Sequence, residues 1–459
     1  MKSIIPCRVE YGDQAEPSGR RGGMTFFLTS LFVFLVFWRP QEWLVPWLFG
    51  FPLLDLIVGA ASLTLILESS QGVVRFPRGM PQVWMFAGLW IATLMSHIAQ
   101  FYFEGLMATY AVTFKLCFFG FLLFCVLDRV SRMRWVVWLI VLMGLFMAIH
   151  ALLQQHRGYG FGGQTPIMHF RPLRGEFAYR SLFFGIFEDP NDLAQMLAVC
   201  VPLVFAVPRR MGGLAKIFSL AGAVLLVLGI LATDSRGGQL GLVTSCAMMA
   251  VLWVPPRWLP RMMLLMFIGA LTLCPLTAGN IDASAHDRVV FWGEANWVFR
   301  HHPVFGIGFG MFSEYISGDR AAHNAFVECY TTIGLFGYWF WFGLLQLGLI
   351  GAWRTRQALL TPKSGEQEWI RRFAGLALAS MAGFMASAYF LSRAFVFPAF
   401  FLFALLNAIP VIARNTLPED YPPLIYAHPD VTILGTAGTL FSVVYVYISI
   451  LLLNQAFYG

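Results

Sequence analysis

Runs of about 20 apolar residues recur along the whole chain, each long enough to cross the roughly 30 Å hydrocarbon layer of a bilayer. Of the 459 residues 58% are hydrophobic and 12% charged, and phenylalanine alone supplies 45. A chain of this length built as soluble domains would not repeat such runs. The runs are continuously apolar and do not alternate in a ten-residue rhythm, so helices fit and a barrel does not. They fall near 24–38, 51–68, 82–99, 106–127, 134–154, 191–208, 214–233, 236–254, 260–278, 323–352, 370–391, 394–413 and 431–454. The expectation is an all-α polytopic integral membrane protein of about 12–13 transmembrane helices with two larger outer-face loops.

Basic residues set the orientation. With the N-terminus inside, the inner segments hold 20 of the 31 lysines and arginines, the outer segments hold ten, and Lys115 falls inside a span. This asymmetry predicts a cytoplasmic N-terminus and puts 279–324 outside, and the odd span count then places the C-terminus outside. Arg20 and Arg21 before the first run resemble a signal-peptide start. The run ends in WRPQEW without a small-residue cleavage site, so it reads as an uncleaved span. The expected organisation is a cytoplasmic segment (1–23), an N-terminal bundle (24–154), an outer loop (155–190), the helices of a catalytic half (191–278), a large outer loop (279–322) and a C-terminal bundle (323–459). The net charge of +7 sits mostly in inner loops, so it reflects topology and membrane lipids, with no nucleic-acid partner. Seven cysteines show no CxxC and no paired spacing, so neither a zinc site nor an essential disulfide is expected.

The two outer interruptions are where chemistry is expected. Residues 155–190 carry glycines and prolines that forbid one continuous helix, and residues 279–324 hold DRVVFWGEANWVFRHHPVFGIGFGMF. Charged groups beside hydrocarbon are costly and mark a functional site by default. The ten outer cations are all arginines, although arginine outnumbers lysine throughout this chain. Their gathering on a face where topology disfavours cations points to an anionic ligand.

Several residues have chemistry suited to such a site. In GIFEDPNDLAQ (185–195), Asp189 or Asn191 can cap the helix that follows Pro190, and a helix start can also face an anion. In TDSRGGQLG (233–241), Gly237 and Gly238 permit a tight reversal, Asp234 or Ser235 can cap the returning helix, and Arg236 is held at the membrane surface. Arg236 is either a snorkelling helix-end residue or a phosphate ligand. His323 can take a proton from a sugar hydroxyl near neutral pH, with Asn324 beside it and Glu328 four residues beyond Asn324 on the same helical face. His301 and His302 read as loop-surface residues, and Lys115 as a snorkelling residue or a pocket cation. GIGFG is not a dinucleotide fingerprint, because no strand precedes it. No cofactor is expected. Asp282, His286 and Asp287 are the nearest approach to a metal set, and solvated loop charges account for them more simply.

These residues resemble the O-antigen ligase and polymerase superfamily of bacterial envelope glycosyltransferases. The matching features, in order, are Pro190–Asn191, Ser235–Arg236–Gly237, Arg288 with Phe291 and Trp292, the run from His302 to Gly310, and His323, Asn324, Glu328, Gly334 and Gly337. The resemblance implies a metal-independent membrane transferase whose site faces the periplasm. Its donor would be a glycan on undecaprenyl pyrophosphate and its acceptor a hydroxyl on a glycan or a lipid core. Arg236 and Arg288 would hold the pyrophosphate, His323 would activate the acceptor, and Arg174, Arg180, Asn191, Asn324 and Glu328 would bind substrate. Polymerase and ligase share this donor chemistry and differ in acceptor. The chain shows no large soluble C-terminal domain, which disfavours the protein-glycosylating branch. The competing reading is a transporter or flippase for a lipid-linked oligosaccharide, with a structural scaffold third. A transporter predicts charged or broken helices near mid-membrane and internal symmetry, neither of which the sequence clearly shows.

Overall fold

The computed structural model describes residues 23–48, 50–74, 77, 79–171, 176–206, 212–252, 255–258, 260–261, 264–265, 283–317 and 321–458, without the side chains of 171, 256, 283–287 and 456–458. Helices stand at the apolar runs: α1 (Met24–Trp38), the short α2 (Pro40–Trp43), α3 (Leu53–Ser70), α4 (Pro81–Ile98), α5 (Phe103–Val126) and α6 (Val130–Arg157). After a two-stranded hairpin come α7 (Pro190–Leu203), α8 (Gly212–Ala232) and α9 (Arg236–Val251). The run at 260–278 lies almost wholly outside the described residues. Then follow α10 (Ala283–His301), the short α11 (Phe312–Tyr315), α12 (Ala325–Ala358), α13 (Gly365–Ala388), α14 (Phe397–Arg414) and α15 (Thr436–Tyr458), the last entered through a π-turn, Pro429–Gly435. Among the described residues, seven helical spans are long and apolar enough to cross a membrane. The fold is that of an all-α polytopic membrane protein.

Burial along the helices separates lipid-facing from core-facing surfaces. In α8 the buried residues Ala215, Ser219, Gly222, Leu226, Gly229 and Ile230 recur every three or four positions, while Leu220, Val224, Leu228 and Leu231 are exposed. Lipid is as apolar as leucine, so the buried stripe associates by close contact between small residues. A Cβ on Gly229 would stand 2.8 Å from the Cβ of Ala148 on α6. In α14, by contrast, Pro398 to Ala413 are all buried, as expected of a helix apolar on every side and enclosed by others. Its one buried amide is fully used. Asn407 accepts from Gln82 of α4 at 3.0 Å and donates to the Leu344 and Phe403 carbonyls at 2.9 and 2.8 Å. Such interhelical hydrogen bonds contribute about 0.6–2 kcal/mol each in a membrane.

Both outer interruptions have internal structure. In the first, β1 (Ile167–Arg171) pairs antiparallel with β2 (Glu176–Arg180). The second carries the 19-residue helix α10, whose buried Val289, Trp292, Ala295, Asn296 and Phe299 form one face against α12 and α15. Lys115, expected as a snorkelling residue or a pocket cation, has an acidic partner. It forms an ion pair of 2.6 Å with Asp55, in the first turn of α3. Cys117, Cys125, Cys200, Cys246 and Cys329 are free thiols, and all but Cys246 are buried.

The helix α12 is not continuous. Gly334 has φ 64° and ψ −173°, which breaks the ladder between Ile333 and Leu335. Residues 303–308 enter this break and satisfy the backbone it frees. Ile307 and Gly308 N–H donate to the Thr331 and Thr332 carbonyls at 3.1 and 3.0 Å, and Leu335 and Phe336 N–H donate to the Pro303 and Val304 carbonyls at 2.8 and 3.0 Å. A side chain at Gly306 would collide with the backbone of Thr332, and one at Gly334 with the Val304 carbonyl. The glycine-rich run is therefore a backbone splice. His302, expected on the loop surface, helps hold it: the Gln100 side-chain amide lies 3.1 Å from His302 Nδ1 and donates to the Gly306 carbonyl at 2.8 Å. His301 ends α10, with its Nδ1 2.8 Å from the Trp297 carbonyl.

Candidate active site

Three helix starts converge at one end of the bundle, and each is capped by a residue from the sequence motifs. Asp189 caps α7 by accepting from Asn191 N–H at 2.8 Å, and Ser235 caps α9 by accepting from Gly238 N–H at 3.1 Å. Asn324 caps α12 by accepting from Phe326 and Val327 N–H at 3.0 and 3.2 Å. Capping satisfies N–H groups that have no partner within the helix, and the helix dipole leaves this region partially positive.

The reversal before α9 is made differently from the expectation. Asp234, with φ 51°, turns the chain, while Gly237 and Gly238 are already helical. Gly238 is needed for approach, since a Cβ there would overlap Ala194 of α7. The corner thus depends on Asp234 for direction and on Gly238 for helix contact.

Hydrogen bonds join the corner to the other motifs. Asn191 Oδ1 accepts from Ser235 Oγ at 2.7 Å and from the Arg180 guanidinium at 2.9 Å, while Arg180 Nε donates to the Thr233 carbonyl at 3.0 Å. Burial lowers the Arg180 pKa from the ordinary arginine value, and Asp189 and Asp234 oppose that shift. Arg236 is the first residue of α9 and is exposed.

Arg393 links this group to the start of α12. Its Nε donates to Asp192, its second nitrogen reaches Asp189 at 3.3 Å, and the adjacent Ser392 Oγ accepts from His323 N–H at 2.8 Å. Burial opposes its charge, but Asp192, Asp189 and Glu328 outweigh burial and raise its pKa above the ordinary arginine value. Arg393 thus remains a cation. The sequence showed it only as one outer arginine among ten, and its role depends on contacts across about 200 residues that no local motif reports.

His323 has φ 47°, left-handed backbone that is uncommon outside glycine. Such conformations cost about 1–3 kcal/mol and gather at functional sites. Two polar atoms beside it are buried with no hydrogen-bond partner among the described residues: Asn324 Nδ2 and Glu328 Oε2. Buried polar groups are normally satisfied, so this pair is suited to a ligand's donors and acceptors. Arg288 is half-buried on α10, one turn before Trp292, whose indole N–H donates to the Ala322 carbonyl at 2.6 Å. Trp292 therefore fixes α10 to the residue preceding His323.

The structure thus links Arg180, Asn191 and Ser235 by hydrogen bonds, with Arg393 and Ser392 leading on to His323, places Asn324 next to His323 as the cap of α12 and Glu328 beside Arg393, and seats Arg288 on the helix locked to Ala322. Arg174 lies outside the described residues, as do Asp282 and the side chains of His286 and Asp287. No group of three or more His, Cys, Asp or Glu able to hold a metal occurs among the described residues.

No curated protein matches the chain. Residues 221–342 match the family model described as O-antigen ligase, a stretch that takes in Arg236, Arg288, His323, Asn324 and Glu328. That match spans the part of the fold that carries the α9 corner, α10 and the start of α12, and it supports the likeness to the O-antigen ligase and polymerase superfamily.

Proposed function

We propose that the network at the starts of α7, α9 and α12 is the active site of a glycan ligase or polymerase. It transfers an oligo- or polysaccharide from an undecaprenyl-pyrophosphate donor to an acceptor hydroxyl on the periplasmic side of the inner membrane. The observation that carries this is the strained His323 beside two unsatisfied buried groups, Asn324 Nδ2 and Glu328 Oε2, next to a persistent positive charge at Arg393. In this scheme His323 takes the proton of the acceptor hydroxyl as its oxygen attacks the anomeric carbon. The bond from that carbon to the pyrophosphate oxygen breaks, and lipid pyrophosphate departs against Arg236 and Arg288. A leaving group of this charge needs fixed cations where charge develops. Arg180, Asn191, Asn324 and Glu328 orient the substrates, and Arg174 belongs to the same outer segment. No metal takes part.

A flippase for the lipid-linked oligosaccharide is the alternative. The break in α12 is a feature that transporters also use. Here the break is filled by backbone from 303–308, which favours a fixed scaffold.

The test is transfer by purified protein, with chelator present, comparing wild type with His323→Gln. Loss of one general base costs about 100- to 10,000-fold in rate, while donor binding should persist. Transfer by His323→Gln within a few-fold of wild type ends the catalytic assignment. Transfer that needs added magnesium ends metal independence.

A further inference from the structure

The hairpin in the first outer segment presents a surface that the catalytic scheme does not use. Met168 stands opposite Tyr179, and Phe170 opposite Phe177. Directly opposed residues of an antiparallel pair share a face, so these four side chains form one apolar face, with the phenylalanine rings 5.1 Å apart. His169, Ala178 and Arg180 lie on the other face. All four apolar residues are exposed, from 45% at Phe170 to 64% at Phe177. A two-stranded ribbon alone in water is marginal, and an open aromatic face adds unfavourable hydration. Something therefore covers it.

The attachment of the hairpin identifies the occupant. Ser181 N–H donates to the Ala232 carbonyl at 3.1 Å, and the Gln155 amide donates to the Tyr179 and Ala232 carbonyls at 2.9 and 2.8 Å. Ala232 ends α8, whose exposed lipid-facing stripe runs through Leu220, Val224, Leu228 and Leu231. The hairpin therefore leaves the bundle at the level where its lipid-facing surface ends. Its apolar face is made of aromatic rings and a methionine with no charge, and Tyr179 combines an apolar ring with a polar tip. That composition is the one favoured at the boundary between acyl chains and headgroups.

We propose that Met168, Phe170, Phe177 and Tyr179 rest in the interfacial layer of the adjacent leaflet, so that phospholipid is the partner of this face. The opposite face then holds Arg180 at headgroup height, bonded to Asn191 and the Thr233 carbonyl. This docking does not depend on the catalytic assignment.

The experiment places the photoreactive residue p-benzoylphenylalanine singly at Phe177, at Tyr179 or at His169 in the full chain. Each protein is reconstituted into vesicles of phosphatidylcholine and phosphatidylglycerol, irradiated, and analysed by mass spectrometry for lipid adducts. Lipid adducts several-fold more abundant from positions 177 and 179 than from 169 are expected. Equal labelling of both faces, adducts to a second copy of the chain, or no adduct from either 177 or 179 would overturn the proposal. Two independent positions on the same face guard against one substitution failing to fold, and size-exclusion profiles verify each sample.

Discussion

Replacing Arg393 by methionine tests whether the central cation holds the site together. Methionine keeps much of the stem volume and removes both bonds to acid. The Asp192 side chain is 17% exposed, so its carboxylate would be left largely buried without its cation. Breaking a fully buried pair costs about 3–5 kcal/mol, and this partly exposed one should cost about 2–3. The Asp189 side chain is 43% exposed, and after solvent screening its contact adds about 0.5 kcal/mol or less. Arg393→Met should therefore destabilise the fold by roughly 2–3.5 kcal/mol. Adding Asp192→Asn removes the stranded charge, so the double variant should recover about 1–2 kcal/mol relative to the sum of the singles. Equilibrium unfolding in mixed micelles containing SDS, followed by tryptophan fluorescence, measures all four proteins. An Arg393→Met variant within about 0.5 kcal/mol of wild type, or singles that simply add, would refute the reasoning. Glycan transfer gives a second reading: the double variant should stay slow at normal folding, because Ser392 beside Arg393 holds the His323 backbone.

Arg288→Lys should lose most transfer at normal protein level, because an ammonium cannot grip two phosphate oxygens as a guanidinium fork does; near-normal turnover would leave Arg288 a packing role. Gly334→Ala should destabilise by about 2 kcal/mol or more, since its backbone region is essentially glycine-only and the added methyl meets the Val304 carbonyl; an unfolding midpoint equal to wild type would show that the splice can relax. A cysteine at Gly318 should react with a membrane-impermeant reagent from the outer side and one at Lys363 should not, and the reverse pattern would invert the orientation.

The sequence made the helices legible where an apolar run is bounded locally, by Pro81 as the first residue of α4, Pro190 as the first of α7 and Ser364 just before α13. The caps at Asp189 and Ser235 were likewise written in adjacent residues, to within the choice of neighbour. What stayed hidden was set by distance. The role of Gly238 comes from Ala194 of another helix, and that of Gly334 from a segment about 30 residues earlier. The hairpin at 167–180 escaped notice because its flanking glycines and prolines dominate the local signal. Its two short strands, IMHFR and EFAYR, alternate only in part, since Ile167 adjoins Met168 and Ala178 stands between Phe177 and Tyr179. Arg393 was visible only as charge, because its acidic partners, Asp189 and Asp192, lie at the start of α7, about 200 residues away.

The splice at Gly334 has a mechanical consequence. An unbroken helix transmits rotation and tilt along its length, so a change in bilayer thickness at one end would turn residues at the other. In α12 the rod is interrupted, and the upper piece, with Asn324 and Glu328, is fastened to residues 303–308. The lower piece, from Leu335 to Ala358, is fastened to the same segment through Pro303 and Val304, while His323 is moored separately to Ser392. Displacement of the lower piece therefore reaches the start of α12 through the hydrogen-bonded 303–308 segment and not along an unbroken helical ladder.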